Sequence, residues 1–375
     1  MKKISIYSRS FTICPASYYR INQYCTYLNN DFYIKKRCAL PDCIYSNYLL
    51  SKHRSNYIRI SYALFAYLLI YFRTLGYLIQ ELLFYKPDTI FICRTIIPRK
   101  IFYIHTFLIN NLLKKSYVIW DFDDNIFESN EIPSKELEIF VKHVDKILVT
   151  NNYLRNQLPL MSESKFVYLP TTDGDIYYHF ENKLLQNRKE VYKNELVLIW
   201  VASASNLPYI REIIPFLDSA ARNIKFCFNK KLTLKVVCNV PLDFPTEFLN
   251  IDNVIWSRYI AIEEMKNAHI GIMPLQDSTF TRGKGAFKII QYMSIGLPVI
   301  ASAVGYNNEV VTPDIGELIS SKSNEWENVI IRYANDWDTI LSKGINARNN
   351  WLNKYSFVNN LNVIKNILNN ENNIL

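Results

Sequence analysis

The densest run of chemistry in the sequence is Thr281-Arg282-Gly283-Lys284-Gly285-Ala286, which leads into the helix pattern Phe287-Lys288-Ile289-Ile290-Gln291-Tyr292-Met293. Glycines ahead of a helix start let backbone N–H groups turn toward an anion, and the helix dipole adds positive potential there. With Arg282, Lys284 and Lys288 beside it, phosphate is the natural ligand. The spacing is neither the G-x-x-x-x-G-K-[ST] of a P-loop nor the G-x-G-x-x-G of a dinucleotide fold. On residues alone two readings stand: a phosphate site, or a structural loop whose charges are simply solvated. Gly296 and Pro298 then stop the helix, and a buried strand pattern over 297–302 ends in a turn at Gly305 before Asn307-Asn308-Glu309.

Glycine use singles out the same stretch. The chain has nine glycines in 375 residues, and six of them, Gly271, Gly283, Gly285, Gly296, Gly305 and Gly316, fall within 46 residues. A chain that otherwise avoids glycine spends it where the backbone needs positive φ or close approach.

The elements that must position this loop read as parallel strands in βαβ units. Short apolar runs without strict alternation recur at 3–7, 88–93, 117–120, 146–149 and 166–169, and again at 196–201, 232–238, 253–256, 269–273, 297–302 and 317–319. Two series imply two doubly wound α/β domains. The expected division is 1–180, a polar linker 181–195, a second domain 196–345, and a C-terminal helix and tail 346–375 with packing back onto the first domain as one option. The Asn-rich end at 369–373 reads as frayed.

Composition excludes several classes. With 49% hydrophobic and 21% charged residues the chain is globular rather than disordered. Seven cysteines without a C-x-x-C pair fit reduced thiols in a cytoplasmic compartment, and five histidines show no metal spacing. The start, Met1-Lys2-Lys3-Ile4-Ser5-Ile6-Tyr7, reads as a strand rather than a leader because Arg9 breaks the apolar run. Net charge is +9, yet residues 1–118 hold seventeen Lys and Arg against four Asp and Glu, so that third carries +13. Such basicity suits an anionic membrane surface, plain solvation or nucleic acid; no recognition motif supports the last. Residues 60–85 are apolar nearly all round, and the run 60–72 falls short of a bilayer span. They read as one helix, or two meeting near Gly76, either buried or lying in a membrane interface.

In the N-terminal half Asp121-Phe122-Asp123-Asp124 follows a strand. It can be an acceptor-side polar site or base, a helix-capping cluster, or a metal-binding D-x-D pair. Tyr19 and Arg20 follow the first strand, where they either meet an anionic acceptor or lie on the surface.

The stretch GKGAFKIIQYMSIGLPVIASAVGYNNEVV (283–311) resembles the signature of retaining glycosyltransferases of family 4, in the branch with a GK..FK..QYMA.G.PV.AS.VG.N.E block. ASYYR (16–20), VIWDFDDNIF (118–127), VTNNYL (149–154), LPTTDGDIYY (169–178), IWVASAS (199–205) and IGIMPL (270–275) resemble that branch in order. The resemblance implies a GT-B fold, two Rossmann-like domains facing a central cleft, with the nucleotide-sugar donor on the C-terminal domain and the acceptor on the N-terminal one. It implies no metal and no cofactor beyond the nucleoside-diphosphate sugar. Arg282, Lys288 and, as a third candidate, Lys284 would then stabilise charge developing on the leaving diphosphate. Ser203 and Ser205 would contact the same diphosphate, and Asn307 would lie on the donor side.

Relatives carry a Glu-x7-Glu pair whose first Glu touches the donor sugar and whose second touches the ribose. Here these positions are Gly283 and Gln291, and Gln291 can bond a ribose hydroxyl as a neutral partner. The turn that relatives write with two glycines contains Ala202. Glu309 is either the acid near the donor sugar or a partner of its helix dipole. The resulting expectation is a metal-independent hexosyltransferase, acting with retention on a glycan or polyprenyl-linked acceptor in bacterial surface polysaccharide synthesis. It would sit peripherally on the inner face of the cell membrane. A GT-B sugar-nucleotide epimerase and a non-catalytic nucleotide-sugar scaffold are the alternatives.

Overall fold

The computed structural model describes residues 1–51, 55–175, 182–320 and 324–370. The chain forms two compact units: residues 1–171 with the C-terminal segment from 360, and residues 172–359. The expected boundary at 180/181, His53, His179 and the end of the Asn-rich tail lie outside the described residues.

The N-terminal unit has one six-stranded parallel sheet of β1 (Lys2–Ser8), β2 (Phe32–Cys38), β3 (Thr89–Cys93), β4 (Tyr117–Asp121), β5 (Lys146–Val149) and β6 (Phe166–Tyr168). Their order is β2-β1-β3-β4-β5-β6, so the sheet reverses direction between β1 and β3. Strand β2 is absent from the apolar runs because it is an edge strand carrying Lys35-Lys36-Arg37. Its Arg37 reaches the carboxylate of Glu81, which is fully buried. The segment from 360 returns to this unit: Asn360 donates to the Pro170 carbonyl at 2.7 Å, and Lys2 Nζ donates to the Leu368 carbonyl at 2.6 Å.

Helix Asn56–Gln80 runs on without a break at Gly76 and passes into one π turn, Glu81–Tyr85. The reading of a buried helix does not hold. Only Ala66, Ile70, Thr74 and Leu78, a stripe at every fourth position, are buried along it. By length and composition Asn56–Tyr85 is long and apolar enough to cross a bilayer, which the 60–72 run did not show.

The C-terminal unit has a second parallel sheet of β7 (Glu195–Val201), β8 (Lys231–Cys238), β9 (Asn250–Ile255), β10 (Ile270–Met273), β11 (Val299–Ser302) and β12 (Gly316–Ile319). The order β12-β11-β10-β7-β8-β9 is the Rossmann arrangement, with its reversal between β7 and β10. Side chains of β7 alternate between two cores. Leu196, Leu198 and Trp200 pack with helix Leu207–Phe228, and Val197, Ile199 and Val201 pack with helix Phe287–Ser294. A strand buried on both faces has no polar alternation to show, which is why it reads as a continuous apolar run.

Residues 182–192, read as linker, form a helix docked on this unit. Its Arg188 is buried and donates to the carbonyls of Met265, Lys266, Ile295 and Gly296 at 2.9–3.1 Å. One guanidinium thereby caps two helix C-termini. Burial without an anionic partner holds its pKa down, at about 9.

Candidate functional site

Helix Phe287–Ser294 is aimed by its two ends. At the C-terminal end Gly296 takes φ 67°, Gly296 N–H reaches the Met293 carbonyl and Leu297 N–H the Tyr292 carbonyl, both at 3.0 Å. That is a full Schellman stop. In the middle, the Tyr292 hydroxyl accepts from Val201 N–H at 3.0 Å and donates to the Ile272 carbonyl at 3.4 Å. Strands β7 and β10 pair only at 198–199 with 270–271. Beyond that point Tyr292 replaces the missing ladder, and it holds the helix at the place where the sheet reverses. Gly271 makes room, since a Cβ there would stand 2.3 Å from the Tyr292 ring.

At the N-terminal end the loop after β10 folds into a short helix, Thr279–Arg282, closed by a capping box between Ser278 and Thr281. Neither loop glycine, Gly283 or Gly285, takes a positive φ. Gly283 sits at φ −80°, and the left-handed residue at the N-cap is Ala286, at φ 51° and fully buried. An L-residue there is strained, and Ala286 brings no capping side chain to the helix start.

The chemistry-bearing groups converge on the carboxyl ends of the central strands. Arg282 is clamped by Asp277, with Nε–Oδ1 2.6 Å and Nη2–Oδ2 2.7 Å, and the guanidinium holds the Asp277 carboxyl below its usual range. Lys284 lies over the Phe280 ring at 4.9 Å. Lys288 stands in the first turn of helix Phe287–Ser294, and its charge opposes the upward push of burial on the Cys238 thiol at the end of β8. After β7, Ser203 and Ser205 are exposed, with their hydroxyls 3.0 Å apart. Asn206 donates to Ser203 Oγ at 3.0 Å, and Asn239 beyond β8 accepts from Ala204 N–H at 2.9 Å. The serine turn, the basic loop and Lys288 therefore surround the reversal point of one sheet, where open α/β sheets bind ligands.

Other expected donor residues have built-in partners. Gln291 donates to Asp173 Oδ2 at 2.8 Å, and both are buried. Burial pushes the Asp173 carboxyl up to about 6, against the bond from Gln291, which lowers it. Asn307 is buried and donates to the Ser302 carbonyl at 3.0 Å, fixing the turn after β11. Glu309 is exposed, in the first turn of Asn307–Val310. Asp173 was missed although it lies in the quoted segment 169–178. The D-G-D run signals a turn, but its partner stands 118 positions away.

In the N-terminal unit the structure corrects the expectation for Arg20 and Asp121. Both side chains have zero exposure and form an ion pair, with Nε–Oδ1 3.0 Å. Arg20 also reaches the Leu169 carbonyl. The pair braces helix Pro15–Arg20 against β4 and presents neither charge to a bound molecule. Tyr19 is buried, edge-on to Tyr18. Asp123 is held by Arg94 at 2.6 and 3.0 Å, as is Asp124 at 2.6 Å. Asp121 and Asp123 thus belong to separate arginines. Among the described residues no three His, Cys, Asp or Glu side chains gather as metal ligands.

Residues 197–336 match the family model described as Glycosyl transferases group 1. No curated protein matches the chain. Among solved structures, a glycosyltransferase from Rickettsia africae is similar at TM-score 0.64 and 13% identity, covering 98% of each chain. Sucrose-phosphate synthase from Thermosynechococcus elongatus is similar at TM-score 0.63 and 12% identity, covering 99% of each chain. HepE from Anabaena, solved with UDP and glucose, is similar at TM-score 0.62 and 11% identity, covering 98% of this chain and 99% of its own. With two Rossmann-like parallel units of this topology in one chain, the protein has the GT-B fold.

Proposed function

We propose that the protein is a glycosyltransferase that moves a sugar, with retained configuration, from a nucleoside diphosphate to a glycan acceptor of the kind found in bacterial surface polysaccharides. The observation that carries this is the cationic loop and helix start at the reversal point of the second sheet, faced by Ser203 and Ser205. Breaking the sugar–phosphate bond leaves negative charge on the diphosphate, and fixed cations beside it stabilise that charge as it grows. Arg282 and Lys288 supply it, with Lys284 at the rim, so no metal ion is required. The Arg282–Asp277 clamp keeps the guanidinium in place until a diphosphate competes for it. Gln291, its amide N–H group turned to Asp173, offers its carbonyl oxygen to a ribose hydroxyl, and Glu309 lies exposed on the sugar side. The test is transfer in EDTA from labelled UDP- and GDP-sugars to a membrane glycan extract, with the anomeric configuration of the product read by NMR. Absence of transfer from either donor class, with the protein folded, would count against the proposal.

The same reading places the enzyme on the inner face of a membrane. Helix Asn56–Gln80 with its π turn and the neighbouring 102–107 segment expose fifteen large apolar residues, among them Tyr57 (88%), Phe72 (70%), Phe84 (78%) and Tyr103 (80%). Monomeric soluble proteins seldom show an apolar patch of this extent. Eight Lys and Arg lie between 55 and 115 against two acids, one of them the buried Glu81, which favours anionic lipid. The helix stays in the interface because its inner stripe belongs to the unit's core. Flotation with phosphatidylglycerol vesicles at low salt is the check; equal recovery on neutral and anionic vesicles contradicts it.

A further inference from the structure

The carboxylate of Asp277 occupies the fork of Arg282 as a phosphoryl group would. Nε donates to Oδ1 at 2.6 Å and Nη2 to Oδ2 at 2.7 Å, the two-pronged grip that guanidinium makes on carboxylate and phosphate alike. The cation invoked for the leaving diphosphate is thus already holding an anion that belongs to the chain.

The backbone under this pair is fixed. Helix Thr279–Arg282 is closed by the Ser278–Thr281 capping box, and Thr281 Oγ1 also donates to the Gln276 carbonyl at 2.5 Å. Arg282 N–H donates to the Ser278 carbonyl at 2.9 Å, and Gly305 packs directly on the Arg282 backbone. The two side chains are the open part of the arrangement, with Arg282 50% and Asp277 51% exposed. They can separate by turning side-chain bonds alone while the loop stays where it is. Water and salt screen an exposed pair, so it opens at little cost. A diphosphate carries more negative charge than one carboxylate and displaces it.

Transfer then raises the charge that must leave. The bond between the anomeric carbon and the β-phosphate oxygen breaks with its electron pair on that oxygen. The sugar bonds to an acceptor hydroxyl oxygen, and the hydroxyl proton goes to solvent. The nucleoside diphosphate now carries one more negative charge than the donor did. Cations placed to stabilise that charge as it grows also hold the product tightly, and slow product release limits turnover. We propose that Asp277 is the release group of the site: it yields the Arg282 fork to the incoming donor and retakes it from the nucleoside diphosphate as the product leaves. This rests on the transfer reading above and adds the step that empties the site. Asp277 acts through Arg282 and is a positioning residue.

The sign of one substitution decides the matter. A carboxylate that only steadies Arg282 strengthens nucleotide binding, whereas one that competes for the fork weakens it. The experiment is calorimetry on the full chain with UDP and GDP, titrated into the millimolar range, for the parent, Asp277→Asn, Arg282→Gln and the double variant. Release is timed by stopped flow with the methylanthraniloyl derivative of whichever nucleotide binds. Asp277→Asn keeps the size of the side chain and removes its charge. It should bind the nucleotide roughly fivefold more tightly than the parent, release it more slowly by a similar factor, and melt as the parent does. In the Arg282→Gln background the same substitution should change affinity by less than about twofold. Affinity that is unchanged or weaker in Asp277→Asn overturns the proposal and leaves the transfer reading standing, since the parent binds the nucleotide. Tightening that persists without Arg282 also overturns it, because the carboxylate then acts through overall charge and not through the fork. If neither the folded parent nor Asp277→Asn binds UDP or GDP, the transfer reading falls and the release step falls with it.

Discussion

Gly305 rests on the backbone of Arg282. A Cβ on Gly305 would stand 2.5 Å from the Arg282 carbonyl oxygen and 2.7 Å from its Cα, and Gly305 itself takes φ 53°. The turn after β11 and the cationic loop after β10 are thus one packed body, with Gly305 as the point of contact.

Gly305→Ala therefore meets both backbone strain and a clash that no side-chain rotation relieves. We expect a loss of about 1–3 kcal/mol of stability and weaker nucleotide binding, because Arg282 must shift. Thermal melting and UDP titration of the variant check this. A melt and an affinity equal to the parent's would mean that the two loops are not coupled.

Tyr292→Phe removes the acceptor for the buried Val201 N–H. Leaving that donor unsatisfied costs about 1–3 kcal/mol. Urea unfolding should show the loss without a change in the denaturant slope, since the ring still fills the space above Gly271. A change under about 0.5 kcal/mol, the ordinary size of a neutral surface substitution, would contradict the role given to this hydroxyl.

Asp173 carries a pH dependence. Its folded carboxyl is raised from 3.8 to about 6, chiefly by burial, so the folded chain holds the proton more tightly than the unfolded one. The contribution is fully present below 3.8 and is lost as pH rises through about 6, a difference on the order of 2–3 kcal/mol. Asp173→Asn should gain stability on the parent between pH 4 and pH 7, measured by melting across that range. Parallel stability curves would show that the carboxyl does not titrate in this window.

Much of the fold was legible because buried parallel strands write themselves as apolar runs, and the Gly296-Pro298 stop is a local signal. Strand β2 was not, since its Lys35-Lys36-Arg37 run is accommodated by tertiary partners: Tyr85 under Lys35, Asn22 for Lys36 and the buried Glu81 for Arg37. The cationic loop could be read from residue type and spacing alone. What could not be read was pairing at a distance: Gln291 with Asp173, Arg20 with Asp121, and the packing of Tyr292 over Gly271. Of the clustered glycines, Gly296 and Gly305 take positive φ and Gly271 and Gly316 allow close packing, whereas at the helix start the positive φ falls on Ala286, which residue type does not signal.

Loop 279–288 is proposed to hold a nucleoside diphosphate. The most direct measurement is calorimetric titration of UDP and then GDP, in EDTA, into the parent protein and Lys288→Ala. One nucleotide should bind at about micromolar affinity, roughly 8 kcal/mol, and Lys288→Ala should weaken it at least tenfold while melting normally. If neither nucleotide binds the folded protein, or if Lys288→Ala binds as tightly as the parent, the diphosphate does not sit here.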